Sequence, residues 1–318
     1  MRDCKIFSYG ASGCRKIRAS AAEVPLAVTP CIESFFDQAT ATFTHVVYDT
    51  APGSAAIIDS VLDFDIKSGQ ISTQSADRLL QFLTAKALAA EWILETHVHA
   101  DHLSGAQYLA HKTGARIAIG AAVTDVRRLF APMLDPGASF DDPRSEFDQL
   151  LQDGDELRCG ALRLTAMAVP GHTPADMAYH VGDAVFVGDS LFMPDIGTAR
   201  CDFPGGDAQR LFRSIQRLLQ LPDATRIFLC HDYPPKERSA AAVVTVAAQK
   251  ANNIHVRDGV TETEFIELRT KRDATLAVPA LLWPAVQVNL RAGSLPAGKN
   301  NGRRYLSLPL DPPAGYPG

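Results

Sequence analysis

The run Thr96-His97-Val98-His99-Ala100-Asp101-His102 places four metal-capable side chains within six positions, directly behind the apolar stretch Trp92-Ile93-Leu94. A strand end projects alternate residues to one side, so His97 and His99 can converge on one ion. Asp101 and His102, on the turn that follows, can face a second position beside it. A histidine that merely caps a strand end accounts for one such residue. It does not account for four, because buried ionisable groups without partners are costly and a metal removes that cost.

Three more groups reach strand ends further along. Leu162-Arg163-Leu164-Thr165-Ala166 alternates as a half-buried strand and runs on to Pro170-Gly171-His172-Thr173-Pro174; Ala184 to Val187 delivers Gly188-Asp189-Ser190; Arg226-Ile227-Phe228-Leu229-Cys230 delivers His231-Asp232-Tyr233. Two imidazoles and a carboxylate thus join the first cluster, each carried on a separate strand.

The elements that must position them read as follows. Strands are expected at His45 to Tyr48 and Ala55 to Asp59 around a Pro52-Gly53 turn, then a helix from an N-cap at Ser75 to about Ala90, with Leu79, Leu80, Phe82, Leu83 and Leu88 at helical spacing. After the cluster come a helix over Leu103 to Lys112, a strand at Arg116 to Ile119 and a helix over Ala121 to Leu129. Pro132 to Asp148 has turn composition and reads as a surface loop. Met177 to His180 is a further strand. Asp207 caps an amphipathic helix through Leu219, a helix is expected around Ala240 to Asn253, and Thr261 with Glu264 fits a capping box. The tail from Pro279 is rich in Pro and Gly. Residues 1–20 read as a basic N-terminal tail, 21–318 as a single domain, and 236–318 as a C-terminal extension packed on it.

Composition narrows the function class. The chain has 318 residues, 46% of them hydrophobic, and a net charge of −5 with no basic block, which favours a small-molecule site over nucleic acid. No apolar stretch reaches the length of a membrane span, and Met1 to Ser20 lacks the apolar core of a secretory signal. Six cysteines without a CxxC pair read as reduced thiols, so a cytoplasmic location is expected. Cys159 and Cys230 read as core, and Cys201 as a core or supporting residue near the site. A homodimer is expected only from how common twofold symmetry is.

The ordered set HxHxDH, His172, Asp189, His231 resembles the metallo-β-lactamase superfamily over about Val46 to Tyr233. The resemblance implies an αββα sandwich, two mixed β-sheets flanked by helices, with metal at one edge. It implies a first site from His97, His99 and His172, a second from Asp101, His102 and His231, and Asp189 shared. Gly197-Thr198-Ala199-Arg200-Cys201-Asp202-Phe203, Gly205-Gly206-Asp207-Ala208 and His231-Asp232-Tyr233 are similar to the persulfide dioxygenase subfamily. That resemblance implies one Fe(II) per chain on His97, His172 and Asp189, with His99, Asp101, His102 and His231 as an empty second site or supporting residues. Such a ligand set leaves positions open for a sulfur ligand and O2 together. Glutathione persulfide and O2 are the implied substrates, sulfite and glutathione the products.

Tyr233 is expected to hydrogen-bond toward Asp189. Arg200 with Asp202 is expected as a buried pair holding the loop. Arg200 and Arg291, with Arg144 and Lys236, are candidates for the substrate's carboxylates. The alternative is a metallohydrolase with two Zn(II) acting on a thioester in the manner of glyoxalase II, a lactone or a β-lactam.

Overall fold

The computed structural model describes residues 29–134 and 142–311. The proposed tail at 1–20, Cys4, Cys14 and part of the Pro132 to Asp148 loop lie outside the described residues.

Fifteen strands and seven α-helices follow in chain order among the described residues. The first sheet has the order β1 (Cys31–Asp37), β2 (Thr42–Tyr48), β3 (Gly53–Ile58), β6 (Leu88–Leu94), β8 (Arg116–Gly120), β9 (Gln149–Leu151). Its first two pairings are antiparallel and the rest parallel. The second has the order β10 (Glu156–Cys159), β11 (Leu162–Ala168), β12 (Met177–Val181), β13 (Ala184–Phe186), β14 (Arg226–Phe228), β15 (Val243–Thr245), with one parallel pairing, β13 to β14. A small sheet of β4 (Val61–Asp65), β5 (Gln70–Ser72) and β7 (Leu103–Ser104) lies beside them.

The period of two along these strands sorts side chains into three apolar layers. Val47, Ala56, Ile58, Trp92 and Leu94 face the second sheet and meet Met177, Tyr179, Phe186 and Phe228. Their neighbours Val46, Ile57 and Ile93 point the other way, onto α1 (Gln74–Ala85), α2 (Ala106–Thr113), α3 (Val123–Phe130) and α7 (Leu282–Asn289). On the far side Ala178, Val185 and Ile227 pack against α4 (Ala208–Leu219), α5 (Val246–Asn252) and α6 (Glu262–Asp273). This is the expected αββα sandwich, with every strand in the centre buried on both faces.

Several local expectations change. The N-cap of α1 is Thr73, not Ser75, whose hydroxyl instead donates to Asp63 Oδ1 at 2.7 Å. The helix ends at Ala85, because Ala87 takes a left-handed φ of 53° and Leu88 begins a strand beside Gly53. Leu103–Ser104 pairs with β4, so α2 starts only at Ala106. Val243–Thr245, β-branched throughout, is a strand on β14, and Thr245 then caps α5 by accepting from Ala248 N. The tail forms α7 despite its proline: Pro284 falls in the first turn, where the N–H it lacks has no helical partner to lose. Leu282, Val286 and Leu290 from this segment join the core under β3 and β6. No helix among the described residues is long and apolar enough to cross a membrane.

Candidate metal centre

The loop from Glu95 to His102 leaves the end of β6 and gathers the other strand ends around it. Gly171, in the loop that carries His172, has φ 153°, and a Cβ there would fall 2.3 Å from Leu211 Cα at the start of α4. Gly188 before Asp189 has φ 52° and its Cβ would strike Thr96 Oγ1 at 2.6 Å. Only glycine lets these two loops close onto the centre. His231 arrives from β14, where the chain bridges back to Thr42.

Of the groups of ligand atoms that lie within 4.8 Å of one another, two divide all the site histidines between them: His97, His172 and Asp189, and His99, Asp101, His102 and His231; Cys230 comes as near to Asp59 and His99 and to Asp189 and His231. His97 Nε2 and His172 Nε2 stand 3.9 and 3.7 Å from Asp189 Oδ2, and His231 Nε2 stands 3.3 Å from Asp189 Oδ1 and 3.1 Å from Asp101 Oδ2. Asp189 therefore lies between the groups. The expected triple His97, His99, His172 is not one of these groups: strand geometry ends at Leu94, so the histidines of the loop do not simply alternate. The His99 ring sits between those of His97 and His102, with centroids 4.0 and 4.2 Å away.

Four of the five histidines are oriented by the other ring nitrogen. His172 Nδ1 donates to Arg200 O at 2.8 Å and His231 Nδ1 to Ala41 O at 3.2 Å. Asp59 supports two more: His99 Nε2 donates to its Oδ1 at 3.0 Å, and Thr96 Oγ1 donates to its Oδ2 at 2.9 Å while accepting from His97 Nδ1 at 3.0 Å. These bonds assign the tautomers. They leave His97 Nε2, His99 Nδ1, His102 Nε2, His231 Nε2, Asp101 Oδ2 and Asp189 Oδ1 buried with no hydrogen bond. Burial, with His99 and His172 beside it, holds His97 well below the ordinary imidazole range, so its Nε2 offers a lone pair at neutral pH. Six inward-facing ligand atoms without hydrogen-bond partners, most of them on oriented side chains, fit a metal ion, and the acids Asp59, Glu95 and Asp101 that raise His99 to about 10 add to the negative charge a cation would meet.

A cavity of about 330 Å³ opens beside the first group. It is lined by the polar Asp101, His172 and Asp189, the apolar Phe192, Phe203 and Leu276, and by Arg200, Arg269 and Arg272. Tyr233 lines it too, stacked on His231 with ring planes 14° apart. Its expected hydrogen bond to the Asp189 region is not formed: among the described residues its contacts are to the rings of His231 and Phe192. Arg200 does pair with Asp202, through two bonds of 2.5 and 2.6 Å, and donates to Ala277 O at 2.7 Å, but the pair is partly exposed rather than buried. Arg291 lies just past α7, donates to Gln287 O at 3.2 Å, and does not line the cavity; neither do Arg144 or Lys236. Cys201 is buried, its thiol pushed up to about 12 by burial, which fits the core reading.

A family model described as the metallo-β-lactamase superfamily matches residues 40–231. The chain belongs to the metallo-β-lactamase superfamily. Within the superfamily it is similar to a probable metallo-hydrolase of Burkholderia pseudomallei, 52% identical, covering 88% of this chain and 99% of that one. It is also similar to the mitochondrial persulfide dioxygenase ETHE1 of Homo sapiens, 26% identical over 82% and 88%. The crystal structure of ETHE1 from Myxococcus xanthus superposes with a TM-score of 0.66 at 30% identity, covering 83% of this chain and all of that one.

Three supporting residues escape a motif reading. Asp59 ends an apolar strand with φ 52°, and an acid in that conformation after Ile57-Ile58 is its only signal. Asn289, at the end of α7, donates from Nδ2 to His99 O at 2.9 Å and His102 O at 2.8 Å and accepts from Ser104 N at 2.8 Å. Arg269 on α6 pairs with Asp273 and donates to Thr198 O at 3.1 Å, while Asp273 accepts from Cys201 N at 2.8 Å. Nothing local in the sequence marks Asn289 or Arg269.

Proposed function

We propose that the chain is an iron-dependent persulfide dioxygenase that converts glutathione persulfide, O2 and water to sulfite and glutathione. The observation that carries the reading is the convergence of two imidazole Nε2 atoms and one carboxylate, from His97, His172 and Asp189, two of which, His172 and Asp189, line a single cavity. The likeness to ETHE1, in sequence and in architecture, supports it. Fe(II) on these ligands would supply open positions for a sulfur donor and O2 and the one-electron chemistry that O2 requires.

The chain's own residues do the rest. Arg200 O and Thr96 Oγ1 hold His172 and His97 as Nδ1–H tautomers with Nε2 inward. Phe192, Phe203 and Leu276 form an apolar wall that excludes bulk water from the reacting sulfur. Tyr233, whose hydroxyl has no hydrogen-bond partner among the described residues, donates a hydrogen bond to bound substrate.

Oxygen uptake by anaerobically purified, Fe(II)-loaded protein given glutathione persulfide, with sulfite measured, tests the reading. Sulfite formed in step with O2, and lost in His172→Ala, is the expected result; thioester hydrolysis without O2 uptake overturns it. A second reading, a hydrolase with two Zn(II), is supported by the second ligand group around His231 and by the metallo-hydrolase relative. Two metal ions per chain in active protein would favour it.

A further inference from the structure

Three guanidinium-bearing residues line the cavity beside His172 and Asp189, and their commitments differ. Arg200 is held by both oxygens of Asp202 and by Ala277 O. Arg269 is buried and engaged by Asp273 and Thr198 O. The Arg272 side chain forms no hydrogen bond or ion pair among the described residues, while its backbone carbonyl accepts from Thr275, and the residue is exposed at the cavity wall. The remaining lining that is neither ligand nor arginine is largely apolar: Phe192, Ile196, Phe203, Leu276 and Pro279.

An apolar sleeve with metal ligands at one end and a single uncommitted cation at its wall describes the complement of a thiol on a carboxylate-bearing carrier. Resting on the glutathione reading above, we infer that Arg272 is the specificity-determining residue that docks a carboxylate of the thiol's carrier, by a charge-assisted hydrogen bond. Arg200 and Arg269 serve the wall rather than the substrate. The last turn of α6 carries a second cation, Lys271, equally placed toward the helix C-terminus but absent from the cavity lining. It provides the control that separates docking from net charge or helix-dipole effects.

Binding of glutathione and of N-acetylcysteamine, an uncharged thiol, is measured by calorimetry on anaerobic metal-loaded protein, so that no turnover is needed. Arg272→Leu is expected to weaken glutathione binding roughly tenfold or more, with N-acetylcysteamine binding unchanged, Arg272→Lys intermediate, and Lys271→Leu like the parent. In turnover the loss should fall on KM rather than kcat. Unchanged glutathione binding in Arg272→Leu, an equal loss in Lys271→Leu, or an equal loss for the uncharged thiol overturns the inference and leaves the proposed reaction standing. Parent protein that binds no glutathione overturns the glutathione reading itself.

Discussion

Asp59 accepts from the Thr96 backbone and hydroxyl and from His99, and through Thr96 it also orients His97. Asn tolerates the left-handed backbone that this position requires, so Asp59→Asn should fold. It replaces an acceptor pair with one acceptor and one donor, and metal affinity should fall roughly 10- to 100-fold. A chelator-competition titration of the variant, beside an unchanged far-UV spectrum, checks this. At this scale the ligands were legible because imidazole and carboxylate at strand ends have few other uses. Asp59 and Asn289 were not, because an acid or amide that serves by hydrogen-bonding a ligand, or the backbone beside it, has no spacing of its own. Arg200 illustrates a different difficulty: its type suits a carboxylate, but Asp202 already occupies its guanidinium, and the uncommitted cation, Arg272, is visible only once the partners of the others are known.

Among the elements, α7 has the largest effect for its length. Its last residue, Asn289, satisfies His99 O, His102 O and Ser104 N, all buried. Asn289→Ala should cost about 3 kcal/mol or more, since each buried backbone group left without a partner costs roughly 1–3 kcal/mol, and the metal-binding loop should loosen with it. Chemical denaturation and metal stoichiometry of the same preparation measure both. The strands were legible wherever one side alternated or both sides were apolar. Helix limits were less so: the expected α1 runs to about Ala90 because Leu88, at helical spacing, equally suits a strand facing the core, and α7 was hidden by Pro284, whose position within a helix decides whether it breaks it.

The whole molecule carries the thermodynamic signatures. Burial pushes His45 down to about 4, and it sits neutral between Ser34 Oγ and Leu229 O. A native pKa below the unfolded value of 6.5 means that the unfolded chain takes up the proton first. The stability is present above about pH 6.5 and is lost as pH falls toward 4, by about 3 kcal/mol in all. His255, also buried and lowered to about 4, adds to the same acid limb. Urea midpoints measured across that window should fall less steeply in His45→Gln than in the parent. Metal acts in the opposite sense: because six ligand atoms lack partners, loading should stabilise the fold, by about 2.7 kcal/mol at free metal one hundred times Kd, so that the thermal midpoint rises on loading and falls on chelation. A pair of melting scans with and without chelator shows the difference.

The bond from Asn289 back to His99 spans 190 positions. A growing chain emerges from the ribosome with its histidines long before the amide that seats their loop. Until α7 is made and docked, the nascent chain holds its ligands on a loop that lacks the amide that seats it.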